Sequence, residues 1–183
     1  SRNGIQINSL NGLSIFIELT ALTLDENDFS AVDLSQISLL SQLTRLSLDN
    51  TELEDFPELS GLIKLQELSI ANSYISSDLD KLSVLTSLRI LNLDTIEIIS
   101  LAGIETLQNL ESLYVSNARI QDATPLVSLQ NLTEVTLQDH DLTDAVALMT
   151  NIDQYDRLDL DTTDTGNGNS LPCWQANFLD RYE

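Results

Sequence analysis

The stretch Leu43-Thr44-Arg45-Leu46-Ser47-Leu48-Asp49-Asn50-Thr51-Glu52-Leu53 puts apolar residues at its first, fourth, sixth and eleventh positions. From Arg45 to Asp49 polar and apolar residues alternate. A period of two is the mark of a short strand with one face buried. The same frame opens at Leu19, Leu65, Leu88, Leu110, Leu132 and Tyr155, so seven copies start 24, 22, 23, 22, 22 and 23 residues apart. Leucine richness alone would not hold phase along a whole chain; an internal repeat does. The fourth position predicts one buried column: Leu22, Leu46, Leu68, Leu91, Leu113, Val135 and Leu158.

A unit of this length leaves too few residues after the strand for a full crossover helix. The return leg is therefore predicted to be extended, or 3₁₀ with at most one helical turn. It still carries core residues in pairs, Leu59 and Leu62, Leu82 and Leu85, Ile104 and Leu107, Leu126 and Leu129. Pro57 and Pro125 fall on this leg, where a missing N–H does no harm to a sheet. No unit buries its apolar face alone, so stacked neighbours must complete the core. The expected fold is an α/β-type repeat solenoid. It is a curved right-handed coil with a parallel β-sheet on the concave face and extended or 3₁₀ segments on the convex face.

One domain is expected over residues 1–183. Residues 1–18 read as an N-terminal cap or partial repeat, 19–165 as the seven copies, and 166–183 as a C-terminal cap. Ile7, Leu10, Leu13 and Phe16 stand where a partial repeat would place its core residues. At the other end Leu171, Trp174, Phe178 and Tyr182 supply bulk to cover the last layer, with Cys173 read as a buried thiol.

The segment from Ile120 to Leu132, Ile-Gln-Asp-Ala-Thr-Pro-Leu-Val-Ser-Leu-Gln-Asn-Leu, resembles the 22-residue class of leucine-rich repeat. Bacterial internalins and the leucine-rich regulatory subunit of protein phosphatase 1 are built of such repeats. The resemblance spans roughly residues 7 to 174. It implies a module that binds a protein on its concave sheet, and it carries over no catalytic residue. On the internalin side it implies a bacterial secreted or cell-surface protein. The alternatives are a cytoplasmic regulatory or scaffolding subunit of an enzyme, and a structural spacer in a longer surface protein. One position departs from the family pattern. The ninth, usually Asn, keeps it only at Asn27; the other copies have Thr51, Ser73, Ile96, Ala118, His140 and Thr163. Thr and Ser replace part of the amide's hydrogen bonding, whereas Ile and Ala cannot.

Composition narrows the function. The chain is 42% hydrophobic but only 5% aromatic, so aliphatic side chains must fill the core. Its net charge of −21 argues against nucleic acid, whose phosphates it would repel, and against anionic membrane surfaces. The same charge attracts a basic partner. No segment is long and apolar enough for membrane insertion. One cysteine excludes an internal disulfide. No nucleophile elbow, phosphate loop or zinc-protease motif occurs, so no catalytic residue and no cofactor are assigned. His140, between Asp139 and Asp141, reads as a substituted ladder position and not as a metal ligand. Asp159, Asp161 and Asp164 with the following Gly-Asn-Gly-Asn-Ser hint at a calcium loop, but no Glu closes it.

The third, fifth and seventh positions are predicted to face solvent on the concave side. Their apolar centre is Ile90 and Tyr114 on adjacent strands, beside Asn92 and Asp94. Around it stand the carboxylates of Asp25, Asp49, Glu67, Glu134, Asp159 and Asp161. These ten residues are the expected partner-binding set of a monomeric module.

Overall fold

The computed structural model describes residues 7–75, 78–138, 148 and 150–160. Seven strands run in chain order through one sheet: β1 (Ala21–Thr23), β2 (Arg45–Ser47), β3 (Glu67–Ser69), β4 (Ile90–Asn92), β5 (Ser112–Tyr114), β6 (Glu134–Thr136) and β7 (Arg157–Asp159). All neighbours pair in parallel, and each strand occupies the third to fifth positions of its copy. Register pairs like with like, so the seven residues from Leu22 to Leu158 form the expected column. Leu46, Leu68, Leu91, Leu113 and Val135 are buried. Leu22 and Leu158, on the two edge strands of the described sheet, are half-buried.

Hydrogen bonding between copies outlasts the strands. The sixth-position N–H donates to the fifth-position carbonyl of the next copy, as Leu24 does to Ser47 at 2.9 Å and Leu93 to Tyr114 at 2.8 Å. The eighth-position N–H reaches the next seventh-position carbonyl, from Glu26 to Asp49 and from Asn50 to Ala71, both at 2.8 Å. That last bond needs a left-handed turn at the eighth position: Glu26, Asn50, Asn72, Thr95 and Asn117 all have φ of 55–61°. Asn is the side chain after Gly that best tolerates this conformation, which explains its recurrence there.

On the return legs, 3₁₀ turns are found at Leu13–Ile15, Ser35–Leu39, Leu79–Leu82, Ile104–Thr106, Thr124–Ser128 and Ile152–Gln154. Leu85 N–H donates to the Leu82 carbonyl and Leu88 N–H to that of Leu85, both at 2.9 Å. Residues three apart eclipse one another in such turns, so Leu82, Leu85 and Leu88 all point into the core. The return leg after β2 packs tightly on the return leg before it. A Cβ on Gly61 would lie 1.8 Å from the Ser38 carbonyl oxygen, so only glycine fits.

Position nine behaves as its chemistry dictates. Asn27 Nδ2 donates to the Leu24 and Asp25 carbonyls, both at 2.9 Å, and its Oδ1 accepts from Ile7 N–H at 3.2 Å. Thr51 Oγ1 donates to the Leu48 carbonyl at 2.7 Å and lies 2.9 Å from Ser73 Oγ. Ile96 and Ala118 are packed in the core instead. Near the N-terminus Leu10 is buried and Ile7 and Leu13 pack against the core, but Phe16 is 56% exposed. Phe16 thus departs from the expected core assignment, since among the described residues no strand stacks beyond β1 to cover it. His140, Asp161, Asp164, the 166–170 turn, Cys173 and the aromatic residues expected to cap the C-terminus lie outside the described residues.

Candidate functional site

The concave face is the row of third- and fifth-position side chains carried by β1 to β7. Over β1–β5 it forms an open trough of about 430 Å³, running from Ala21 and Thr23 to Tyr114. Ile90 is 36% exposed on its floor. In register, Arg45 stands opposite Glu67, Glu67 opposite Ile90, and Asn92 opposite Tyr114.

Position seven is more enclosed than alternation predicts. Ala71 and Ser116 are buried. Asp25 Oδ1 accepts from Ser47 Oγ at 2.6 Å and from Asp49 N–H at 2.9 Å. Asp49 Oδ1 repeats the pattern with Ser69 Oγ at 2.6 Å and Ala71 N–H at 2.8 Å. Asp94 Oδ1 accepts from Ser116 N–H at 2.8 Å, and Asn92 Oδ1 from Asp94 N–H at 3.0 Å. These aspartates fasten the first copy to the second, the second to the third and the fourth to the fifth, as well as lending charge to the face.

Toward β7 the polar groups are linked to one another. Tyr114 OH donates to Glu134 Oε2 at 2.6 Å, and Arg157 Nη1 donates to Glu134 Oε1 at 2.9 Å. Arg157 also lies 3.7 Å from Asp159, whose Oδ2 accepts from Gln138 Nε2 at 2.9 Å. The Tyr114 bond, then the Arg157 guanidinium, holds the Glu134 carboxyl below the ordinary glutamate range. The same bond, with partial burial, pushes the Tyr114 phenol up. Tyr114 is therefore half-buried and anchored, where the sequence pattern predicts a freely exposed ring.

Toward β2 the situation is reversed. Arg45 and Glu67 are both exposed. Neither side chain makes a hydrogen bond or ion pair among the described residues. Glu67 lies within electrostatic reach of Arg89, which itself grips Glu111 through two hydrogen bonds of 2.8 and 2.7 Å.

The whole arrangement matches known solved structures. Two internalins of Listeria monocytogenes align with TM-scores of 0.64 each, at 24% and 23% identity over 86% and 79% of this chain. A leucine-rich-repeat protein of Leptospira interrogans aligns with a TM-score of 0.73, at 23% identity over 81% of this chain. The fold is a leucine-rich-repeat solenoid. The chain spans 77% of the first internalin, but only 48% of the second and 38% of the Leptospira protein. No family model and no curated protein matches the sequence.

Nine of the ten residues expected on the leucine-rich-repeat concave face lie among the described residues, and Asp161 lies outside them. Sequence reasoning overlooked two features of that face. The first is the Asp-to-Ser link between copies, signalled by Asp25 with Ser47 and Asp49 with Ser69, separated by 22 and 20 residues. The second is Arg45, a cation on the floor of the trough without an ion pair among the described residues. Among the described residues no cluster of metal-ligating side chains occurs, and no helix is long and apolar enough to cross a membrane.

Proposed function

We propose that this chain is a protein-binding module that receives its partner on the concave sheet and carries out no catalysis itself. The observation that supports this most directly is the open trough over β1–β5, where side chains from five strands converge at fixed spacing on one surface. The third, fifth and seventh positions of the described strands hold six carboxylates (Asp25, Asp49, Glu67, Asp94, Glu134, Asp159) against two guanidiniums, Arg45 and Arg157. That excess favours a partner that is basic overall and speeds its approach. The resemblance to internalins adds a secreted or cell-surface setting to this reading, and the chain is taken to act as a monomer.

The test is affinity capture with the full chain, with captured proteins identified and re-measured as purified components. Ile90→Glu places a charge in the trough; Lys64→Glu changes an exposed residue on the return leg. A partner lost on Ile90→Glu and retained on Lys64→Glu is the expected result. A partner indifferent to Ile90→Glu but lost on Lys64→Glu would move the site to the convex side and defeat the proposal.

A further inference from the structure

One row of the concave face runs Arg45, Glu67, Ile90, Ser112, Glu134, Arg157 across β2 to β7, each residue in register with the next. Its two ends carry the same pair of charges in mirror order, yet only one pair is satisfied. At the β7 end Arg157 and Glu134 hold each other at 2.9 Å, and the second carboxylate oxygen is taken by Tyr114. At the β2 end Arg45 and Glu67 are exposed and without an ion pair among the described residues.

We propose that the partner's contact segment seats over β2–β4 and is of mixed charge. A carboxylate meets Arg45, a cation meets Glu67, and an apolar side chain lies against Ile90. The proposal deepens the concave-face reading and rests on it. An arginine exposed on a trough floor in a chain with 29 acidic and 8 basic residues is a fork-shaped donor with no carboxylate partner among the described residues. A wholly basic segment would set a cation against Arg45. A wholly acidic one would set a carboxylate against Glu67, and like charges juxtaposed in an interface are strongly unfavourable. Only a segment that alternates charge complements both.

The floor is held ready for such a segment. Asp25 and Asp49 fix the hydroxyls of Ser47 and Ser69, and Glu134 fixes the Tyr114 ring at the far wall. Arg45 and Ile90 lie two strand spacings apart, about 9.6 Å, which an extended segment crosses in about three residues. The partner's acid and apolar residue are therefore close in sequence, with the base between them or beside them.

The probe is a phage-displayed library of random twelve-residue peptides selected on the full chain. Enriched peptides are then synthesised and titrated against the wild type and against the swapped variant Arg45→Glu/Glu67→Arg. Both side chains are exposed, so the swap leaves the core intact, which a thermal melt verifies. The milder Arg45→Gln serves as a second variant. Expected are peptides with an acid, a base and an apolar residue within about four positions, amide shifts confined to β2–β4, and about tenfold weaker binding to the swap. Arg45→Gln should weaken binding by a smaller factor. Peptides that map to the concave face but bind the swap as tightly as the wild type would overturn this inference while leaving the concave-face reading standing. Peptides that map to the return legs would overturn both. Enrichment of purely basic peptides, or of none, also counts against it.

Discussion

The turns that leave the sheet in the first three copies are linked differently from those in the next two. Asn27, Thr51 and Ser73 put polar side chains behind the strand, and Thr51 and Ser73 join directly across two copies. Ile96 and Ala118 put apolar ones there, and the return legs connect by backbone instead, from Glu97 N–H to the Ile75 carbonyl at 2.9 Å and from Arg119 N–H to that of Ile98 at 3.1 Å. On the approach to the strand the order is inverted. Thr44 bonds the Thr20 carbonyl early on, and a regular series follows later: Ser87 to Ile63, Asn109 to Thr86 and Asn131 to Gln108, each at 2.8 Å. Stacked copies need lateral polar links, because a buried turn cannot leave its backbone groups unpaired. The side of the sheet on which those links lie is free to change along the chain.

The column of fourth-position residues is what both halves share, and removing it should have the largest effect. Leu113→Ala, at a wholly buried site, is expected to cost about 2–5 kcal/mol in a denaturant melt. Leu22→Ala, on the half-buried edge strand, should cost clearly less. Equal losses would mean that the column is not the common support of the two halves.

Gly61→Ala comes next. A methyl group there collides with the Ser38 carbonyl, so the return legs of two early copies must separate, at about 1–3 kcal/mol as overpacking does. An unchanged midpoint would show that these legs yield freely.

The two kinds of link differ in burial, so their removal should differ in cost. Thr51→Val keeps the shape but strands the Leu48 carbonyl and the Ser73 hydroxyl in the core, which should cost roughly 1–2 kcal/mol. Asn131→Ala removes an exposed link of the later series, where water replaces the lost donor, and should cost less than about 0.5 kcal/mol. If the exposed link proves the costlier, the later copies depend on their approach side more than the geometry indicates.

The smallest effect concerns pH. Glu134 has a lowered pKa, so its contribution is complete above the ordinary value of 4.5 and is lost as pH falls through the lowered one. Tyr114 has a raised pKa, so its contribution is complete below 10.0 and is lost as pH rises through the raised one. The melting-temperature gap between the wild type and Tyr114→Phe should therefore be widest at neutral pH and narrow in both acid and strong base. A gap constant across that range would mean the Tyr114–Glu134 bond contributes nothing.

Most of the fold was legible because it is local. Alternation around Leu46 places a strand, and the three-residue spacing of Leu82, Leu85 and Leu88 places a return leg with its core side. Gly61 was not legible, since its need arises from Ser38 in the neighbouring copy. Nor was the exposure of Phe16, whose apolar character suits a core that is completed only where another layer covers it. For the candidate site, the concave positions followed from the frame, while the state of each group did not. Tyr114 read as a free aromatic ring, and Asp25 and Asp49 as free charge.

The repeat, the residues of each strand, the column they bury and the face they leave open all follow from the order of the amino acids. Each of these depends on spacings within one copy, and seven copies state them redundantly. Which charges on that face are committed to one another depends on how the copies stack. Asp25 and Ser47, or Glu134 and Tyr114, lie 20 or more residues apart and meet because stacking sets them in register. Arg157 and Arg45 are the same residue type at the same position of their copies, yet among the described residues one is paired across the strands and the other is not. That distinction lies in side-chain direction at the sheet surface, which no one-dimensional pattern encodes.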